Sequence, residues 1–245
     1  MDPSGERQTE LTAMGELGWY ESFAFDGSSS VPTFYVTQDS EYGALTRFTP
    51  NEEGMACYNK PDDYDRWCTL SHGTTDFLLI SGGESGNFSW TTDFGAAREN
   101  AHLYYPNSEG IDSADGKVFF VSKASKRLFI LDLEQQTYTN SSTVSGAFHD
   151  EPDQVARLVR NDESILYFCE DGGVKPGVHG RTVDGAYFTV LEGSLVDSEE
   201  TTGLGFGGLY HMYVAFQNAG HIYDCTRDDG RPFNGEVLDI KYHAI

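Results

Sequence analysis

The chain of 245 residues is short of positive charge: 16 lysines and arginines stand against 39 aspartates and glutamates, a formal net charge of −23. Binding a phosphate backbone needs a basic face, so nucleic acid is excluded as the expected ligand, and an anionic membrane surface would repel the chain. Long apolar runs are missing too. No stretch approaches the roughly 18 residues of a membrane span, and the opening MDPSGERQTE is not a basic-then-apolar leader. Four cysteines are too few for a disulfide-built scaffold, and none lies in a Cys-x-x-Cys or Cys/His spacing that would hold zinc. A sustained 3.6-residue apolar period is absent as well, which leaves little room for helix. What the chain has instead is glycine, 27 residues, and aromatics at 13 %, a mixture suited to many short strands joined by turns. Its acids keep it soluble, above all in salty surroundings, and they are also the hard oxygens that calcium takes as ligands.

Four segments share one grammar: an acid, a short strand, a turn, an apolar strand with a polar tip, then a third strand opened by glycine or a base. Glu21 opens ESFAFD, followed by TFYVT ending at Gln38 and Asp39, then GALTRF. Glu109 opens EGID before KVFFVS and RLFILDL. Asp153 opens the run that leads to ILYFC and the turn Glu170-Asp171-Gly172-Gly173, with GVHGRT after it. Glu200 opens ETTGLGF, then HMYVAF ending at Gln217, then GHIYDC. A unit repeated at roughly 45 residues predicts an all-β chain, a β-propeller whose blades each hold about four strands. A weaker unit, DFLLISGG with NFSWTTDF, has the strands without the acid and brings the number of recognisable blades to about five.

The expected organisation is one domain over residues 1–245, with residues 1–16 as a lead-in arm or strand and residues 50–75 as a long polar loop. AARENAHLYYPN is expected to hold a helical turn, and the closing EVLDIKYH a last strand. Equivalent positions in blades lie on one ring, so Glu21, Glu109, Asp153 and Glu200 are expected to face a common centre. Two carboxylates about 4 Å apart repel by about 4 kcal/mol at an effective dielectric of ~20. A ring of them therefore calls for protonation or for a multivalent cation. Catalysis by a side-chain nucleophile has no support: His149, His179, His211 and His221 are scattered outside any triad spacing, and the glycine runs GGESG and GLGFGG read as turns. Cys57 and Cys68, eleven residues apart, are a disulfide candidate in a secreted chain, whereas Cys169 and Cys225 read as buried thiols. Asn87 and Asn140 each begin an Asn-x-Ser triplet, the acceptor pattern of extracellular glycoproteins.

The same boxes, in the same order from about Asp2 to Phe233, resemble the PhoX-type alkaline phosphatases. That family consists of calcium-dependent enzymes on a six-bladed propeller with an iron and calcium cluster. Tyr20-Glu21, FYVTQDSEYGALTRFTP, SEGI at Glu109, PDQ at Asp153, CEDGG at Glu170, and ETTGLGF through VAFQNAG carry the resemblance. Position by position it implies metal ligands at Glu21, Glu109, Asp153, Glu170 and Glu200, with Asn107 and Gln217 near substrate or behind the ligands. It also implies calcium, iron only where the upstream cysteine and Cys-Glu-Glu boxes are present, phosphate esters as small-molecule partners, and a secreted or cell-surface location. Asn107 stands where family members carry an arginine suited to gripping phosphate. Gln38 replaces an acid, and GGLY replaces a longer hairpin.

The expectation is therefore a PhoX-like metal-binding propeller related to secreted phosphomonoesterases and inactive or incomplete as this chain. The alternatives are a calcium-stabilised propeller that acts as a non-catalytic binding module, and a calcium-dependent lactonase-like hydrolase.

Overall fold

Nearly every apolar run named above folds as a strand whose side chains alternate between the two faces of a sheet. The computed structural model describes residues 18–62, 65–158, 165–173, 175–193 and 200–233. The lead-in residues 1–16 and the closing EVLDIKYH lie outside the described residues. The chain divides into two compact units, one ending at Ser142 and the other beginning at Thr143.

In the first unit, β1 (Tyr20–Asp26), β2 (Thr33–Gln38), β3 (Thr46–Pro50), β4 (Gly73–Gly82) and β5 (Ser85–Thr91) follow one another as antiparallel neighbours. A second meander holds β6 (Ser108–Ala114), β7 (Lys117–Ser122), β8 (Arg127–Asp132) and β9 (Thr137–Ser142). β5 pairs with β9, which makes one nine-stranded sheet of order β1-β2-β3-β4-β5-β9-β8-β7-β6. The sheet nearly closes, because its end strands β1 and β6 touch: the Ser113 hydroxyl donates to the Phe25 carbonyl at 2.8 Å. The unit lacking an opening acid supplies β4 and β5, and so continues the first meander. The β6–β7 turn needs two left-handed residues and has them in Asp115 and Gly116, at φ 51° and 71°.

Both faces of the central strands are covered, which explains runs such as KVFFVS with little alternation. Tyr35, Leu78, Ile80, Val118, Phe120 and Phe129 are buried at 2 % exposure or less. Against them lies α2 (Phe94–Tyr104), capped by Asp93, whose carboxylate accepts from the Ala96 N–H at 3.0 Å. Eleven residues long rather than one turn, α2 is fastened to β4 by Asn100, whose amide bonds both the N–H and the carbonyl of Ile80 at 2.9 Å. Residues 50–75 differ from the expected loop. They hold α1 (Glu52–Tyr58), capped by Asn51, and a 3₁₀ helix (Asp65–Ser71), joined by a Cys57–Cys68 disulfide with Cα atoms 5.5 Å apart. The polar composition hid them because α1 buries only Gly54 and Cys57 and the 3₁₀ helix adds Leu70 alone to an apolar cluster, so neither shows an apolar stripe.

The second unit has two sheets. β10 (Glu151–Arg157), β11 (Leu166–Asp171), β12 (Gly177–Arg181) and β13 (Tyr187–Glu192) form one meander. β14 (Thr201–Phe206), β15 (Met212–Phe216) and β16 (His221–Cys225) form another. Val178, Met212, Val214, Phe216 and Phe233 pack between them. Among the described residues, no helix is long and apolar enough to cross a membrane.

Candidate metal centre and a buried glutamate–histidine network

The first strand of every meander breaks register near its start. The breaks fall between Tyr20 and Phe23 in β1, between Ser108 and Ile111 in β6, between Pro152 and Val155 in β10, and between Thr201 and Gly203 in β14. Each is a β-bulge, one extra residue that re-aims a side chain. Glu21, Glu109 and Asp153 stand at the same point of their own bulge. Glu200 does not: its carbonyl accepts from the Gln217 N–H at 3.2 Å, as the Trp19 carbonyl does from Asp39 and the Asn107 carbonyl from Lys123, which aligns it with Trp19 and Asn107. Thr201 instead stands with Tyr20, Ser108 and Pro152, paired to the second strand just ahead of the bulge, and Thr202 holds the position that the acids hold elsewhere.

In the first unit the bulges bring Glu21 and Glu109 together, with carboxylate oxygens within 4.8 Å. At that distance two negative charges repel by about 3 kcal/mol at an effective dielectric of ~20, less where water reaches the exposed Glu21. Glu109 is buried, and the Lys123 ammonium lies 3.8 Å from its Oε1. β6 is locked behind it, since Thr37 donates its hydroxyl to the Glu109 carbonyl and the Ser108 hydroxyl lies 3.3 Å from both the N–H and the carbonyl of Gln38. The donor set, two carboxylates held by a rigid sheet, fits a hard oxygen-seeking cation such as calcium. Asn107 is a structural residue here. It sits at φ 52°, its amide donates to Asp39 Oδ1 at 2.7 Å, and its carbonyl accepts from the Lys123 N–H at 2.9 Å. Gln38 donates its side-chain amide to the Gly18 carbonyl at 2.8 Å.

In the second unit, β11 runs through Glu170 to Asp171 before Gly172 and Gly173 turn the chain, so Glu170 belongs to a strand and points inward. Its Oε1 accepts from the backbone N–H groups of His149 and Asp150 at 3.0 and 2.8 Å, and its Oε2 lies 3.1 Å from Nε2 of His179. A carboxylate already used as an acceptor places the ring proton on Nε2. Nδ1 is then left to accept from the Thr189 hydroxyl at 3.1 Å. Glu170 and His179 are both buried, and Phe148 stacks on the imidazole with ring centres 4.5 Å apart. A cation at Glu170 would have to break this network, so its carboxylate is not offered as a ligand in the way Glu21 and Glu109 are. His179 and Thr189 also line a cavity of about 150 Å³ with Ser145 and Tyr187.

Thr201, fully buried, accepts from the Glu170 N–H at 2.9 Å and donates to the Gly177 carbonyl at 2.7 Å, with the Glu170 carbonyl 3.1 Å away, tying β14 to β11 and β12. Gln217 donates its amide to Glu200 Oε2 at 2.9 Å. Asp153 is buried on β10. Cys169 is a free, buried thiol pushed well above its ordinary range by burial, with the charges of Asp153 and Glu200 adding to the shift. Sequence reasoning passed over His179 as a scattered histidine. The signal that could have found it is cross-strand: Gly177 follows on from the residues opposite β11, so His179 stands diagonal to Glu170 on the same face.

The fold defined by these antiparallel meanders is a β-propeller. No family model matches the chain, and no curated protein matches it in sequence. Among solved structures, Pseudomonas fluorescens PhoX in complex with vanadate, a transition state analogue, superposes with a TM-score of 0.61 at 13 % identity. That match covers 87 % of this chain and 54 % of the PhoX chain, so this chain spans about half the length of that protein, and the likeness is one of fold. A catalytically inactive virginiamycin B lyase from Staphylococcus aureus with quinupristin gives a TM-score of 0.49 at 12 % identity, covering 90 % of this chain and 55 % of that one. The RRP9 WD40 repeats give 0.47 at 9 %, covering 91 % and 64 %.

Proposed function

We propose that the chain is a calcium-binding, PhoX-like propeller of the cell exterior, and that as it stands it lacks phosphomonoesterase activity. The observation that carries the metal reading is the approach of Glu21 and Glu109 to within 4.8 Å, each placed by the same bulge. A divalent cation there replaces their mutual repulsion by two attractions and uses oxygens of the type calcium prefers. Lys123 balances part of the charge at 3.8 Å from Glu109 Oε1. The disulfide agrees with an oxidising, extracellular setting.

Asn107 supports the reading that phosphatase activity is lacking. An arginine there would offer a planar, bidentate fork to a phosphate. The asparagine is neutral and its amide is already given to Asp39. Losing one preorganised electrostatic donor costs about 10² to 10³ in rate.

Calorimetric titration of chelator-treated chain with calcium is the test. Binding should appear in the wild type and fall at least tenfold in Glu109→Gln. No heat and no saturation in the wild type would refute the metal reading. Hydrolysis of a generic aryl phosphate should stay at the buffer rate with calcium and iron supplied, and turnover abolished by Glu109→Gln would overturn the second half of the proposal.

A further inference from the structure

We infer that Asn87 carries an N-linked oligosaccharide and that Asn140, which begins the other Asn-x-Ser triplet, does not. The two asparagines share a motif and differ in what the fold does with their amides. Asn140 is half-buried and committed at both ends: its Nδ2 donates to the Gly83 carbonyl at 2.9 Å, and its Oδ1 accepts from Arg127 at 2.5 Å. A sugar on that nitrogen would have to displace the β4–β5 turn from the edge of β9. Asn87 is exposed in the middle of β5, and its amide makes no hydrogen bond among the described residues.

The surroundings of Asn87 point the same way. Its cross-strand partners are Ser81 on β4 and Thr137 on β9, and Ser85 on its own strand pairs with Thr139. Ser85 and Ser89 share its face by strand alternation. All five of these neighbours are exposed and small, so hydroxyl-bearing residues flank the amide along and across the strands. The middle residue of the triplet, Phe88, points to the opposite face and is buried in the core, which fixes Asn87 and Ser89 outward. A sugar attached here adds bulk over solvent and moves nothing in the sheet.

The modification is a glycosyl transfer from a polyprenyl diphosphate oligosaccharide. The bond between the anomeric carbon and the diphosphate oxygen breaks, and a C–N bond to Asn87 Nδ2 forms. One amide proton leaves to a base, and the polyprenyl diphosphate departs. This chemistry takes place in compartments that also form disulfides, and the Cys57–Cys68 bridge lies in the same unit. The inference rests on the extracellular reading above and not on the metal.

Secretion of the full chain from a eukaryotic cell supplies the passage, so the outcome bears on the acceptor alone. Peptide mapping after enzymatic deglycosylation should find Asn87 converted to aspartate and Asn140 unconverted. The mobility shift removed by the glycosidase should persist in Asn140→Gln and vanish in Asn87→Gln. An unmodified Asn87 in wild-type material from inside the secretory compartment, or a sugar on Asn140, would overturn the inference whether or not either variant folds.

Discussion

His179 has a partner on both ring nitrogens and an aromatic ring on its face, all inside one unit. Removing it strands the Glu170 carboxylate, whose other oxygen is already filled by two backbone donors, in a place that water does not reach. Leaving a buried acceptor without its donor costs about 1–3 kcal/mol, and more when the acceptor is charged. Glu170→Gln keeps an oxygen for the backbone donors and removes the charge, a change worth about 1–2 kcal/mol. Urea unfolding should rank His179→Ala as clearly the less stable of the two variants. Equal stabilities within about 0.5 kcal/mol would mean that the pair is not held as a charged network. The same scale separates Glu200 from the other opening acids. Its distance of seventeen residues to Gln217 equals that from Glu21 to Gln38, but only the ladder reveals that Thr202, not Glu200, stands where Glu21 does.

At the level of elements, the meanders were legible because each leaves a local record: an opening acid, a turn, and an apolar second strand at fixed spacing. β6 to β8 lie almost where EGID, KVFFVS and RLFILDL place them. α1 and the 3₁₀ helix left no such record, since NEEGMACY buries only Gly54 and Cys57. A helix of seven residues is too short to be stable by propensity alone. The disulfide and Leu70, packed with Phe34, Val36 and Phe48, therefore hold this excursion, and closing a loop of this size contributes about 2–3 kcal/mol if it is unstrained. Reduction, or Cys57→Ser with Cys68→Ser, should lower stability by up to that amount. Amide exchange should speed up in residues 52–58 and 65–71 while β6 to β9 keep their protection. Uniform loss of protection across the sheet would show instead that this excursion folds as part of the core.

At the scale of the whole chain, two electrostatic effects coincide and have to be separated. A net charge of −23 destabilises the folded state by self-repulsion, and any salt relieves it over a screening length of about 8 Å at 0.15 M. A calcium site acts differently, by mass action, adding about 2.7 kcal/mol at a hundredfold excess over the dissociation constant. About 1 mM calcium chloride barely alters a background of roughly 0.15 M sodium chloride, so a rise in melting temperature there reports binding rather than screening. Magnesium, which demands a tight octahedron and sheds its water reluctantly, should do less. Glu109→Gln sharpens the distinction because it removes one of the two repelling charges at Glu21 as well as a ligand. In chelator the variant should melt at or above the wild-type temperature. In calcium the order should reverse, while the response of both proteins to sodium chloride stays the same. Parallel curves that never cross, with both proteins gaining equally from calcium and from sodium, would leave only screening and remove the metal centre.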